Sequence, residues 1–253
     1  MQLSDPAEFK GKVAVVTGSK QGIGQAVVKA LRKAEAIVAE LDILFDENKN
    51  NLQYQVDIAD SFAVDRLIEH IEATVGEIGF LVNVAGILRM APLLECSLED
   101  WQRTFAVNTT GAFNVCRAVA RKMMPRRQGA IVVVGSNAAD IPRMGMGSYA
   151  ASKAATKQMI RCLGLELAAA NIRCNVVAPG STDTHMQRQL WKDKLGELAA
   201  VEGDLTSFRL GIPLGRIAQP DNIADVVMFL LSSSSSHITL ESITVDGGAT
   251  LGA

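Results

Sequence analysis

Aromatic side chains make up only 5% of the 253 residues. That is too few for a stacking platform that reads nucleobases. Basic residues are not in excess either: 25 Lys plus Arg stand against 27 Asp plus Glu, a net charge of −2. A nucleic-acid partner is therefore not expected, since phosphate neutralisation needs a cationic surface. Only three histidines occur, and the four cysteines (Cys96, Cys116, Cys162, Cys174) form no CxxC pair. No ligand set of zinc spacing exists, so no metal is expected. The cysteines read as small apolar core groups in a reducing compartment. No apolar run approaches the ~20 residues that span a bilayer. Residues 1–12 carry no apolar stretch of the secretory kind. The expectation is a cytoplasmic protein without a membrane partner.

Apolar residues supply 48% and charged residues 21%, the balance of a globular chain. A chain of this length buries roughly 70–75% of its unfolded surface, so it needs no staples. Short β-branched runs at 13–16, 37–39, 52–56, 80–82, 131–134, 175–178 and 243–245 alternate with helical stretches. Near-continuous apolar strands separated by helices indicate a parallel sheet covered on both faces. With right-handed crossovers this predicts an α/β fold: a single-domain, Rossmann-type, doubly wound sheet of about seven strands. No linker or repeat divides residues 1–253.

The helical stretches fall at 23–33, 62–75, 98–124, 148–170 and 220–231. Pro125 should end the third, because proline disfavours helix in the residue before it. Pro220 suits the first turn of the last. Residues 185–210 read as helical, broken by Gly196 and Gly203, and are expected to form a mobile lid. The serine run 232–236 reads as a solvated turn.

Between the first strand and the first helix lies Thr17-Gly18-Ser19-Lys20-Gln21-Gly22-Ile23-Gly24. Glycines at 18, 22 and 24 allow a tight turn and a close approach of backbone to a pyrophosphate. The following helix aims free N–H groups and the positive end of its dipole at that phosphate. Lys20 could meet a phosphate or remain solvated. Asp42 closes the second strand, 18 residues after Gly24. A carboxylate there can accept both hydroxyls of an adenosine ribose. It would also repel a 2′-phosphate, by roughly 4 kcal/mol at about 4 Å and an effective dielectric of 20. NAD is favoured over NADP.

Tyr149 and Lys153 are four residues apart on one helix and share a face. Free tyrosine titrates near pH 10 and is a poor base at neutrality. A nearby ammonium should lower that value. Ser136 lies just past the fifth strand, where its hydroxyl could hold a substrate oxygen while Tyr149 exchanges the proton.

Thr17-Gly18-x3-Gly22-Ile23-Gly24, Asn83-Val84-Ala85-Gly86, Asn108, Ser136, Tyr149-x3-Lys153 and Pro179-Gly180 together resemble the short-chain dehydrogenase/reductase family. The likeness runs from Lys12 to the C-terminus. It implies a nicotinamide cofactor, Tyr149 as general acid/base and Ser136 as holder of the substrate oxygen. It implies that Lys153 binds the nicotinamide ribose and that Asn108 holds a water linking Lys153 to solvent. Asp57 resembles the adenine contact. Asn83, Ala85 and Gly86 match the segment along the cofactor, and Pro179, Gly180, Thr182 and Thr184 the segment near the nicotinamide. Two positions depart from the pattern. Glu35 stands where the family often has glycine, and Val84 replaces the second Asn of Asn-Asn-Ala-Gly.

The segments 85–90, 142–146, 180–188, 210–215 and 245–253 carry a narrower likeness, to family members of catecholate siderophore synthesis. The implied substrate is a small anionic cyclohexadiene diol, oxidised to a catechol. Its carboxylate needs a cation, and Arg89, Arg143 and Arg188 are the candidates, since a guanidinium grips a carboxylate bidentately. Met144, Met146 and Met186, with Met90, could wall the ring. His185 reads as a lid residue and not as a catalyst. The family likeness also implies a homotetramer built through the two long helices and the C-terminal region.

Overall fold

The computed structural model describes residues 8–46, 52–191 and 196–252. In chain order the elements are β1 (Val13–Thr17), α1 (Gly22–Lys33), β2 (Ile37–Asp42), β3 (Gln53–Gln55), α2 (Ser61–Thr74) and β4 (Ile78–Asn83). Then come α3 (Leu98–Phe105), α4 (Ala112–Arg126), β5 (Gly129–Val134), α5 (Gly147–Leu167), β6 (Ile172–Pro179), α6 (His185–Arg188) and α7 (Gly196–Glu202). The short strands β7 (Gly203–Asp204) and β8 (Arg209–Leu210) precede α8 (Pro220–Leu231) and β9 (Ser242–Val245).

Seven strands form one sheet in the order β3-β2-β1-β4-β5-β6-β9, and every pairing is parallel. Side chains alternate across the sheet and feed two cores. Val15, Leu81, Ile131 and Val176 face α2, α4 and α5, where Ile68, Val119 and Ile160 meet them. Val16, Val82, Val132 and Val177 face α1 and α8, where Leu31, Val227 and Leu230 meet them. This is the doubly wound α/β sheet that the alternating pattern implies. The strand order reverses between β1 and β4, so their C-terminal ends diverge and open a crevice.

Helix starts follow local chemistry. Asp60 accepts the Ala63 N–H at 3.0 Å and Ser97 the Asp100 N–H at 3.0 Å. Pro220 opens α8 as expected, with Gln219 and Asn222 in a reciprocal cap. Three expectations are corrected. The stretch 98–124 is not one α-helix: residues Ala106–Gly111 form a π-helical turn. A β-carbon at Gly111 would stand 2.6 Å from Ile58, so α4 packs tightly on the loop before α2. The helix also runs through Pro125 and ends at Arg126, with Arg127 left-handed (φ 54°). A proline in the last turn breaks little of the ladder that remains. Finally, 185–210 is not helical throughout. Gly203 has φ +83° and turns the chain into an antiparallel pair, Gly203 opposite Leu210 and Asp204 opposite Arg209. Part of the expected lid, 192–195, lies outside the described residues.

Candidate active site

The crevice at the C-terminal strand ends is a cavity of about 450 Å³. Its floor begins at the glycine loop. Gly18 (φ +62°) and Gly22 (φ +54°) are left-handed, and a β-carbon on Gly18 would stand 2.8 Å from the Ala85 backbone. One on Gly24 would stand 2.0 Å from the Gly18 carbonyl oxygen. Only glycine fits there. Gly18, Gln21, Gly22 and Ile23 line the cavity, whereas Gly24 packs beneath the turn. No side chain caps α1 and no acid occupies its first turn, so its N–H groups stay available to an anion. The loop thus fits a dinucleotide pyrophosphate.

Two residues expected along the cofactor do other work. Lys20 Nζ donates to the carbonyl of the lining residue Leu44 and lies 5.6 Å from the Phe45 ring centroid, and Lys20 itself does not line the cavity. Asn83 is buried and accepts from Thr17 Oγ1 at 2.9 Å. Thr17 Oγ1 in turn accepts from the Val84 and Ala85 N–H groups at 3.1 and 3.2 Å. This link sets the β1 and β4 ends side by side and satisfies the Val84 backbone without a second Asn. Ala85 and Gly86 do line the cavity.

Asp42 sits at the distal end. It is buried, and accepts from the Lys20 N–H at 3.0 Å and the Leu44 N–H at 2.9 Å. Asp57 also lines the cavity, accepts from the Ala59 N–H at 2.9 Å, and pairs with Arg103 at 3.0 Å. The sequence reading did not include Arg103, which lines the same end.

At the centre, α5 presents Tyr149 and Lys153 on one face. Both are buried and line the cavity with Ser136. Lys153 Nζ donates to the Val134 carbonyl at 3.0 Å. Burial pushes its pKa down to about 8. Burial also lifts the Tyr149 phenol above its ordinary value, opposed by a hydrogen bond with Ser136. The expected lowering of Tyr149 by Lys153 is thus corrected. Desolvation of the phenolate dominates there.

Asn108 sits on the π-helical turn and holds the adjoining backbone. Its Oδ1 accepts from the Ile87 N–H at 2.8 Å, and its Nδ2 donates to the Ile87 carbonyl at 3.0 Å and to Ser152 Oγ at 2.9 Å. A β-carbon on Gly86 would stand 3.2 Å from Asn108 Oδ1 and 3.4 Å from Lys153 Nζ, so the three positions converge.

Pro179, Gly180, Thr182 and Thr184 line the opposite wall. Thr184 caps α6 by accepting the Gln187 N–H at 3.2 Å. Its methyl would stand 3.2 Å from a β-carbon on Gly22, which brings this loop against the glycine turn.

The substrate candidates separate. Arg143, Met146 and Met186 line the cavity, as does His185. Three expectations are corrected. Arg89 is mostly exposed and faces Asp100 at 3.8 Å. Met144 is 65% exposed and absent from the lining. Arg188 is held bidentately by Asp183 at 2.6 and 2.8 Å and does not line this cavity. In each case spacing placed the residue beside the pocket and a local partner or solvent took the side chain. Arg209, read only as part of a helix, lines the cavity instead. Among the described residues, no cluster of His, Cys, Asp or Glu could hold a metal ion, and no helix is long and apolar enough to cross a membrane.

A cavity at the strand ends, a glycine turn under an uncapped helix and a buried Ser-Tyr-Lys set define a nucleotide-dependent oxidoreductase. The sequence profile described as Enoyl-(Acyl carrier protein) reductase matches residues 17–250. The chain belongs to the short-chain dehydrogenase/reductase family, which implies a nicotinamide cofactor. It is 47% identical over 96% of its length to the 2,3-dihydro-2,3-dihydroxybenzoate dehydrogenase of Bacillus subtilis (strain 168), of which 98% is covered. It is equally 47% identical to the enzyme of that name from Escherichia coli (strain K12), over 97% of this chain and 100% of the relative. Among solved structures, ligand-free aldohexose dehydrogenase of Thermoplasma acidophilum superposes with a TM-score of 0.86 at 28% identity, covering 98% of this chain and 97% of that one.

Proposed function

We propose that this protein oxidises 2,3-dihydro-2,3-dihydroxybenzoate to 2,3-dihydroxybenzoate with NAD, as a step in catecholate siderophore synthesis. The observation that carries the reading is the placement of Arg143 and the Ser136–Tyr149–Lys153 set in one cavity whose far end is closed by Asp42. Near full-length likeness to enzymes of that name supports it.

A nicotinamide cofactor held by Gly18, Gln21, Gly22, Asp42 and Lys153 would supply the acceptor for a hydride from the carbinol carbon. Ser136 holds the substrate hydroxyl, and Tyr149 takes its proton as the carbonyl forms. Lys153 supplies the positive charge that favours a phenolate. Asn108 holds the Ile87 segment and keeps a carbonyl lone pair for a water that connects Lys153 to solvent. The ketone then tautomerises to the catechol, and aromatisation drives the net oxidation. Arg143 faces the substrate carboxylate. Met146 and Met186 supply adaptable apolar contact to the ring. The Asp42 carboxylate favours ribose hydroxyls over a 2′-phosphate, hence NAD.

The same reading extends to assembly in the cytoplasm as a homotetramer. Leu98, Trp101, Phe113 and Leu165 leave apolar surface exposed on α3, α4 and α5, and such surface suits a subunit contact.

The test is a spectrophotometric assay with 2,3-dihydro-2,3-dihydroxybenzoate, NAD against NADP, following reduced cofactor and catechol fluorescence together. Equal growth of both signals with NAD is expected. Silence from a folded, NAD-binding protein discards the substrate, and preference for NADP discards the cofactor assignment.

A further inference from the structure

We infer that Arg209, delivered by the β7–β8 hairpin, is the second jaw of a two-arginine clamp that makes this cavity select a carboxylate-bearing ring. The inference rests on the substrate reading above and adds a specificity-determining residue to it.

Arg143 and Arg209 come from segments far apart in the chain and line the same cavity. Each is only partly buried, and each brings a guanidinium that cannot discard its charge. Among the described residues neither is ion-paired with a carboxylate. The two acids that might neutralise them are occupied. Asp246 lies in reach of Arg143's field, but its oxygens accept from Thr250 Oγ1 at 2.7 Å, Asn137 Nδ2 at 3.2 Å and the Gly248 N–H at 2.9 Å. Asp204 stands directly across the hairpin from Arg209. Its carboxylate instead closes the turn, accepting from Thr206 Oγ1 at 2.7 Å and Ser207 Oγ at 2.6 Å. Arg209 makes one long contact, Nη2 to Ser181 Oγ at 3.5 Å, which directs it toward the loop after β6.

Two like charges held in one cavity repel, and burial together with the Arg209 charge lowers the Arg143 pKa. An anion between them relieves both effects at once. A neutral ring covers part of both guanidiniums and answers neither charge, which is how a site rejects the wrong substrate. Gly203 fixes the hairpin. A β-carbon there would stand 2.5 Å from the Arg209 carbonyl oxygen, so only glycine allows the strand pair that aims the side chain.

The experiment compares wild type, Arg209→Met and Arg209→Lys on two substrates, the carboxylated diol and the same ring diol without its carboxylate. Loss of a charged hydrogen bond corresponds to about a 10- to 100-fold rise in KM for the carboxylated diol. The expected result is that rise in Arg209→Met, with kcat, NAD affinity and the uncarboxylated diol all changed less than about threefold. Arg209→Lys should recover part of the loss, as a point charge without the fork. Equal losses on both substrates, or no loss on either, overturn the clamp. Calorimetric binding of benzoate and of benzyl alcohol to the NAD-bound enzyme separates this from the substrate reading. If wild type fails to oxidise the carboxylated diol, the proposed function falls. The clamp still stands if benzoate binds more tightly than benzyl alcohol and Arg209→Met abolishes that difference. It falls if the difference persists in the variant or is absent from the wild type.

Discussion

Lys153 Nζ lies over the face of the Tyr149 ring, 5.8 Å from its centroid. Its hydrogen bond goes to the Val134 carbonyl at 3.0 Å, which anchors the ammonium beside the ring and not at the hydroxyl. Both groups are buried, and burial opposes charge on each: the phenol is pushed up and the ammonium down to about 8. Burial therefore works against the charged form of each group, although an ammonium with a pKa of about 8 still carries most of its charge at pH 7.

This has a spectroscopic consequence. The chain has only two tyrosines, Tyr54 and Tyr149. Burial raises the pKa of both. Titration of the unliganded protein, followed by phenolate absorbance near 295 nm, should show no step below pH ~10, the value of free tyrosine. A one-tyrosine step at pH 8, lost in Tyr149→Phe, would show that Lys153 controls the phenol even without ligand. Tyr149→Phe should also reduce kcat by about 100- to 10,000-fold, the range of general-base loss, with NAD binding retained.

The same burial makes Lys153 a stability cost. Its folded pKa of about 8 lies below the ordinary 10.5. Between those values the unfolded chain binds the extra proton, so stability rises with pH across that window and is lowest below it. Lys153→Met should raise the melting temperature at pH 7 while abolishing activity. The advantage over wild type should shrink as pH climbs from 8 toward 10.5. The stranded Val134 carbonyl offsets about 1–3 kcal/mol of the gain. A variant less stable than wild type at every pH would mean that the ammonium is well solvated or paired in solution.

Asp42 offers a sharper handle on cofactor choice. Its carboxylate accepts two backbone N–H groups, from Lys20 and Leu44, so truncation to Ala would damage the turn as well as the charge. Asp42→Asn keeps one of the two acceptor oxygens and removes the charge, so it perturbs the turn less than Ala does. The ratio of kcat/KM for NAD over NADP should fall by about 10- to 100-fold or more, in line with several kcal/mol of removed repulsion. The change should lie mainly in the NADP KM. An unchanged ratio would place the discrimination elsewhere, with Arg103 beside Asp57 as the next residue to change.

Much of this arrangement is written locally in the sequence. The strands were legible because both faces are buried, as in β1, where all five residues are covered. The glycine turn and the Tyr149–Lys153 face were legible because their chemistry depends on short spacings. What spacing could not convey was competition for long side chains. Arg89, Arg143 and Arg188 look alike in the chain, yet Asp100 and Asp183 draw two of them away. Arg209 was hidden by its context, because 203–210 has helical composition and folds as a hairpin once Gly203 turns left-handed. The π-helical turn under Asn108 was equally hidden, since nothing in the periodicity of 98–124 marks one extra residue per turn.

Glu35 shows how the chain manages without the glycine common in its family. The residue adopts φ 60° between α1 and β2, with its carbonyl accepting the Gly11 N–H at 2.9 Å and its side chain meeting Lys10 at 2.8 Å. A left-handed non-glycine residue carries roughly 1–2 kcal/mol of strain. The Lys10 pair is exposed and returns little of it. Glycine would relieve the strain but lose about 0.5–1 kcal/mol to the greater freedom of the unfolded chain. Glu35→Gly should therefore be neutral to slightly stabilising. Glu35→Ala keeps the strain and loses the pair, so it should be less stable than Glu35→Gly by about 1 kcal/mol in urea unfolding. Residue 35 precedes β2, whereas the cavity lies at the C-terminal strand ends. Both variants should keep wild-type kcat and KM. If alanine proves as stable as glycine, the left-handed turn is not the constraint at this position, and the Lys10 contact would have to be re-examined as its support.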